Sequence, residues 1–232
     1  MKLGLIYTIK NWHYSSWLFH YITLQNFKRV FATYITNRKS ILLDIGCDRK
    51  PYKDLISPYF DKHIGLEYPN PNHLNNAADI YGSAYHTAIK SSSVDTVFTA
   101  AVLEHLEDPS LALKEAHRIL KNNGLIIITA PLFWHLHDLP RDFYRYTKHG
   151  FEYLFEKNGF EVLEVKPLAG FWVTIGALFT YYLSRFNKGI LKKVPVIPML
   201  IIFLQAVSYI LNKLDPKTEI WTWAYIAVGR KR

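Results

Sequence analysis

The sequence predicts an α/β protein built on a mostly parallel sheet with helices on both faces. Short apolar runs of strand length recur between residues 41 and 168, stretches with helical spacing alternate with them, and Asp-Pro, Asn-Asn-Gly and Asn-Gly steps punctuate the series. Such alternation requires crossover connections, and those give parallel strands covered on both sides.

Each element is read in order. In residues 14–37, Trp17, Tyr21, Leu24, Phe27, Phe31 and Tyr34 recur at steps of three and four, one face of a helix. ILLDIG (41–46) is a buried strand, PYKDLISPYF (51–60) a turn and helix, and KHIGLEY (62–68) a second strand. AADIYGS (77–83) is a weak third strand and VDTVFTAA (94–101) a fourth. Asp108 followed by Pro109 reads as an N-cap and first helical residue, with a helix expected to run to Asn123 or Gly124. GLIIITAP (124–131), a helix over 147–159, and FEVLEVKPL (160–168) complete the series. In a sheet of this kind ligands lie over the carboxyl ends of the strands.

The remainder has another texture. Residues 168–183 and 194–211 carry no charge, and the link SRFNKGILKK between them is basic. The second run has the nominal length of a membrane span, but Pro195 and Pro198 shorten its usable helix. WTWAYIAVGRKR (221–232) reads as a last strand. A single crossing would leave that strand on the wrong side of a bilayer. The expectation is therefore a helical pair that dips into or lies on a membrane, against the alternative of a cap over a pocket or an interface. The resulting organisation is an N-terminal amphipathic segment (1–39), a core (40–167 with 220–232) and a hydrophobic insert (168–219).

Charge follows the same division. The formal net charge is +9, yet residues 1–39 hold six bases and no acid, residues 166–232 ten bases and two acids, and residues 40–165 twelve bases and seventeen acids. An acidic centre excludes a core that grips nucleic acid. Basic, aromatic-rich flanks suit an anionic membrane surface. The single cysteine fits a reducing compartment, no signal peptide is read at the N-terminus, and the expected location is cytoplasmic and peripheral on the inner membrane face.

Two places carry chemistry. Asp44 and Gly46 end the first strand, and the following residues are Cys47, Asp48, Arg49, Lys50 and Pro51, which is neither a dinucleotide fingerprint nor a phosphate loop. Glu67 ends the second strand about twenty residues later, where a carboxylate can accept ribose hydroxyls. Beyond strands four and five, AVLEHLED and WHLHDLPRDFYRYT collect Glu104, His105, His135, His137, Asp138, Arg141, Asp142, Tyr144, Arg145 and Tyr146. His105 or His137 is the expected general base, since histidine titrates near neutral pH. Arg141 or Arg145 could pair with an anionic acceptor, while an Asp142–Arg145 pair could instead be structural. Histidines at i,i+2 in a loop are a poor metal pattern, so no metal is expected.

The run ILLDIGC, IGLE, ADIYGSAYHTAI and SVDTVFTAAVLEHLEDPSLALKEAHRILKNNGLIIITAP resembles the class I S-adenosylmethionine-dependent methyltransferases over residues 40–167. The segment WHLHDLPRDFYRYTKHGFEYLFEKNGF resembles a bacterial subgroup associated with polysaccharide and cell-envelope genes. The resemblance implies a Rossmann-like seven-stranded sheet whose last strand is antiparallel, with S-adenosyl-L-methionine as cofactor. It implies that Asp44, Gly46, Cys47 and Asp48 hold the methionyl part, and that Glu67 and Tyr68 meet the ribose. Ser83 and Ala84 would meet the adenine, and Ala100 and Ala101 would lie under the cofactor. Asp48 replaces a usual glycine, and Ser83 a usual aspartate. Catalytic candidates are His105, His137, Asp138, Tyr144 and Arg145. The expected reaction is O-methylation of a small-molecule, lipid-linked or envelope-glycan acceptor, against a catalytically silent membrane- or partner-binding module of the same fold.

Overall fold

The computed structural model describes residues 16–36, 39–69, 77–189, 191, 194–214 and 219–232. Residues 1–15, 37–38, 192–193 and 215–218, which carry part of the basic flanks, lie outside the described residues. The chain forms two compact units. One comprises residues 28–132, 136–166 and 224–232; the other comprises residues 1–27, 133–135 and 167–223.

The first unit holds the sheet. Its strands are β1 (Ile41–Ile45), β2 (Lys62–Glu67), β3 (Ile80–Tyr81), β4 (Val94–Ala100), β5 (Leu120–Pro131), β6 (Phe160–Pro167) and β7 (Ala224–Lys231). They stand in the order β3-β2-β1-β4-β5-β7-β6, with β1, β2, β3, β4 and β5 pairing in parallel and β7 running against β5. The order reverses between β1 and β4, so a crevice is expected above their carboxyl ends. The seven-stranded sheet with an antiparallel last strand agrees with the sequence-based expectation.

Helices α1 (Trp17–Tyr34), α2 (Lys53–Ile56), α3 (Pro109–Ile119) and α4 (Lys148–Lys157) accompany the strands. The stripe of α1 is real, with Leu24, Phe27 and Phe31 buried. Phe31 meets Phe60 and Phe98 edge-on, and Arg29 is paired with Glu164 of β6. Asp108 caps α3 by accepting from the Leu111 amide at 3.2 Å, and Pro109 opens the helix. Thr147 caps α4 by accepting from Gly150 at 3.0 Å.

Two expected boundaries differ. The helix over 51–60 is a single turn, α2. Helix α3 ends at Ile119 rather than at Asn123 or Gly124, because Leu120 already pairs with Val94 of β4. Asn123 adopts φ +63° in the irregular start of β5, a conformation Asn accepts more readily than most residues.

The second unit contains α5 (Phe171–Ser184) and α6 (Val196–Leu214), packed against each other. Small and polar residues contribute to their buried faces beside Val173 and Ile201. Gly176 faces Ser208 so closely that an added Cβ would stand 2.1 Å from the Ser208 hydroxyl. Val173, Thr174, Ala177 and Thr180 on α5 are buried, as are Ile201, Gln205 and Ser208 on α6. The outward faces are apolar: Trp172, Ile175, Phe179, Tyr182 and Phe186 form one exposed stripe, and Met199, Phe203, Ile210 and Leu214 another. This inverts the pattern of a water-soluble hairpin.

Candidate functional site

The carboxyl ends of β1, β2 and β4 bring most of the expected cofactor residues to one edge. Gly46 turns the chain at φ +72°, and a Cβ there would stand 2.3 Å from Val102 Cγ2. Its amide donates to the Leu66 carbonyl at 2.8 Å. Asp48 and Lys50 follow in left-handed conformations (φ +42° and +51°). The aspartate that replaces glycine thus preserves the turn. Lys50 crosses β2 at Gly65, pairs with Asp79, and fixes the loop to the sheet. Cys47 is buried against the same glycine, and burial pushes its thiol up to about 12, which makes it an inert packing group.

Asp44 is buried and hydrogen-bonds His63 Nε2 at 2.9 Å. Burial raises its pKa against the opposing His63. Its carboxylate therefore ties β1 to β2. Glu67 lies at the end of β2, where its carboxylate accepts from the Asp48 amide at 2.7 Å and the Tyr68 amide at 2.9 Å. Two oxygens held by backbone donors form a rigid acceptor pair suited to a vicinal diol. Tyr68 is exposed beside it. Ser83 Oγ accepts from the Tyr85 amide at 3.1 Å, which leaves its hydroxyl proton and one lone pair for another partner. Ala100 ends β4, and Ala101 leaves it at φ +56° with its amide on the Thr129 carbonyl.

The catalytic candidates converge from two loops. A 3₁₀ turn, Leu103–His105, follows β4, and the segment 136–146 wraps around it. The Phe143 amide donates to the Glu104 carbonyl at 2.9 Å, and Tyr146 Oη donates to the Leu103 carbonyl at 3.0 Å. His105 and His137 lie with ring centroids 4.7 Å apart. His105 Nδ1 donates to the Arg141 carbonyl at 2.7 Å, so its Nε2 carries the lone pair in the neutral ring. His137 Nδ1 stands 3.4 Å from the Asp142 carboxylate, which also accepts from the His137 amide at 2.9 Å. Burial lowers the pKa of His105 and so favours its neutral form.

Both Nε2 atoms approach Glu104 Oε1, at 4.0 Å from His105 and 3.9 Å from His137. Glu104 is fully buried, and neither carboxylate oxygen finds a hydrogen-bond partner on another residue. That burial pushes its pKa up to about 8. Sequence reading placed Glu104 in this region but not as the floor of the pocket, because its burial depends on a loop forty residues away.

Other expected groups take different roles. Arg145 makes two bonds to Asp142, at 2.7 and 2.8 Å, and holds that carboxyl far below its usual range. It is thus committed to the structural pairing considered for it. Tyr144 Oη donates to the Glu107 carbonyl at 2.9 Å and fastens the loop. Arg141 reaches Glu107 at 3.0 Å and lies over the Tyr68 ring at 5.5 Å, on the exposed side. Asp138 is exposed, 3.7 Å from His105 Nε2.

Comparison with known proteins agrees with this geometry. Residues 43–128 match the family described as a methyltransferase domain. Over that stretch the chain is similar to the class I methyltransferases. S-adenosyl-L-methionine is the cofactor of this class, and the left-handed loop, the paired Glu67 oxygens and the Ser83 hydroxyl are donors and acceptors of the kind that ligand requires.

A probable S-adenosylmethionine-dependent methyltransferase of Mycolicibacterium smegmatis is 29% identical over 96 residues, 39% of this chain and 37% of that protein. The chain therefore spans little more than a third of that relative. The solved structure of the [4+2]-cyclase SpnF superposes with a TM-score of 0.60 at 16% identity, covering 89% of this chain and 80% of that one. Phosphoethanolamine N-methyltransferase 2 of Haemonchus contortus, solved with S-adenosyl-L-methionine, superposes with a TM-score of 0.56 at 16% identity, over 89% of this chain and 52% of that one. Such distant likenesses establish the fold, and the cyclase among them shows that one fold serves more than one reaction.

Proposed function

We propose that the protein transfers the methyl group of S-adenosyl-L-methionine to an oxygen of a lipid-linked or envelope-glycan acceptor at a membrane surface. The observation that carries the methyl-transfer reading is the pairing of an intact Gly46 turn with the backbone-held Glu67 carboxylate at adjacent strand ends. Bound cofactor supplies a methyl group already activated on a sulfonium sulfur. The chain's own residues must hold the acceptor in line and receive its proton. His105 and His137 present their Nε2 atoms beyond the same strand ends and suit a hydroxyl acceptor. Arg141, the more exposed of the two candidate arginines, suits an acceptor that bears a phosphate.

The membrane reading is supported by the second unit. A hairpin with Gly, Ser, Thr and Gln inside and Trp, Ile, Phe and Met outside follows the rule for helices in lipid. Helix α6 is long and apolar enough to cross a membrane, at 19 residues. Helix α5 has 14, roughly 21 Å against a hydrocarbon thickness of about 30 Å, so the pair suits a shallow insertion from the cytoplasmic face.

Calorimetry in detergent tests the enzyme reading. S-adenosylmethionine and its demethylated product should both bind, and Glu67→Ala should weaken them about tenfold to hundredfold, the loss of two charge-assisted bonds. No heat at millimolar ligand would favour the silent module, in line with Asp48 and Ser83 standing where the family has glycine and aspartate. With tritiated methyl donor and a lipid extract, base-stable label indicates a hydroxyl acceptor and base-labile label a carboxyl acceptor.

A further inference from the structure

We propose that Glu104, His105 and His137 form a binding site for a first-row divalent cation of the zinc or manganese type. One carboxylate oxygen and two imidazole nitrogens lie within 4.8 Å of one another, one ligand atom from each residue. Two ligand atoms sharing an ion at zinc–nitrogen bond lengths stand at most about 4.1 Å apart. That limit holds only for opposed ligands, and tetrahedral ones stand about 3.4 Å apart, so from 4.0 and 3.9 Å to Glu104 the histidines must draw in by roughly half an ångström as an ion binds.

Three independent features suit a cation. Both rings are backed, His105 by the Arg141 carbonyl to which its Nδ1 donates and His137 by the Asp142 carboxylate 3.4 Å from its Nδ1, and both Nε2 atoms lie toward Glu104 Oε1. This backing of a ligand histidine by a carbonyl or carboxylate is the usual support of metal-binding imidazole. Glu104 is a fully buried carboxylate whose oxygens have no partner on another residue. Burying such a group without a hydrogen-bond partner is destabilising, and a ligand that takes its lone pairs relieves that cost. Third, the local charge is unbalanced. Arg145 is occupied by Asp142, and Asp138 adds another carboxylate 3.7 Å from His105 Nε2. The Arg145 guanidinium also acts on Glu104 through space, so one arginine stands among the three carboxyl groups of Glu104, Asp138 and Asp142.

Two histidines and one carboxylate leave coordination positions open for an acceptor oxygen. That deepens the proposed methyl transfer, although cation binding itself rests on the side-chain cluster alone. With the ion present, the two Nε2 lone pairs are ligands rather than bases. Held there, a cation would acidify a hydroxyl acceptor, whose oxygen would keep the O–H electron pair while the proton passed to Asp138 or to water.

The test uses the full chain in detergent with any affinity tag removed, no methyl donor, and prior treatment with chelator. About one equivalent of Zn²⁺ should survive desalting, and Co²⁺ should give the visible absorption of a nitrogen- and oxygen-ligated site. Glu104→Gln and His137→Asn should each weaken Zn²⁺ by at least about tenfold in competition with a chromophoric chelator. His149→Asn, at an exposed surface histidine, should leave affinity unchanged. Metal-free Glu104→Gln should melt near the metal-free parent, since a buried carboxyl without a hydrogen-bond partner is exchanged for a side chain of the same shape. The proposal is overturned if the parent gives no Co²⁺ spectrum, or if its Zn²⁺ affinity equals that of the Glu104 and His137 variants. A titration with demethylated cofactor separates the two readings. Metal without cofactor binding overturns only the methyltransferase reading, and cofactor without metal binding overturns only this one.

Discussion

At the scale of single residues, one loop contains two left-handed positions with opposite tolerance. Gly46 has φ +72° and no room for a Cβ beside Val102, whereas Asp48 sits at φ +42° at an exposed position. Gly46→Ala therefore combines an unfavourable backbone with a clash, at a cost of about 2 kcal/mol or more. Its melting temperature should fall, and binding of demethylated cofactor should be lost. Asp48→Gly relieves roughly 1 kcal/mol of left-handed strain and removes a carboxylate. It should melt at or above the parent temperature and bind the cofactor no more weakly. If Asp48→Gly instead weakened binding, the aspartate would be a ligand contact rather than a tolerated departure.

At the scale of elements, α3 is joined to the segment after β3 by Glu115. Its carboxylate accepts from the Thr87 amide and hydroxyl at 2.8 and 2.7 Å and from Arg118 at 2.7 and 2.8 Å. Arg118, with the Thr87 bonds, lowers the Glu115 pKa to about 2 despite burial. A depressed carboxylate contributes stability that is present above its unfolded pKa near 4.5 and is lost as pH falls toward 2. Arg118 is partly exposed, so solvent screening limits the contribution to about 2 kcal/mol. Denaturant melts of the parent and Glu115→Gln should differ by that amount at pH 6 and converge at pH 2–3. A constant difference would show that the bonds matter through shape rather than charge. The strands and the Asp108 cap are expectations that local pattern supports, whereas the reversal of β7 is implied only by the family resemblance. The end of α3 is supported by neither, because Leu120 leaves the helix to pair with β4, a non-local demand on a residue with good helix propensity. The catalytic corner was half legible: its residues stood in two short runs, but the burial of Glu104 and the commitment of Arg145 to Asp142 arise only when those runs meet.

At the scale of the whole molecule, the two units differ in what covers them. The sheet unit buries its apolar residues, while the hairpin unit exposes Trp172, Phe179, Met199 and Phe203 and buries Thr174, Thr180, Gln205 and Ser208. Formal charge follows the same contrast, with acids collected in residues 40–165 and bases in the flanks. An apolar surface with cationic neighbours suits an anionic bilayer, where hydrophobic insertion and surface potential add. Flotation on liposomes should therefore show binding to vesicles containing phosphatidylglycerol and weaker binding to neutral ones. High salt should reduce the difference between the two lipids while leaving a salt-resistant fraction, because screening acts on the bases and not on the hairpin. Phe179→Glu with Phe203→Glu should abolish that fraction and leave cofactor affinity within about twofold. If the double variant floated like the parent, the hairpin's exposed faces would not be its lipid contact. If the parent remained soluble at low salt on anionic vesicles, the membrane reading would fail altogether, and the exposed stripes would belong to a protein interface.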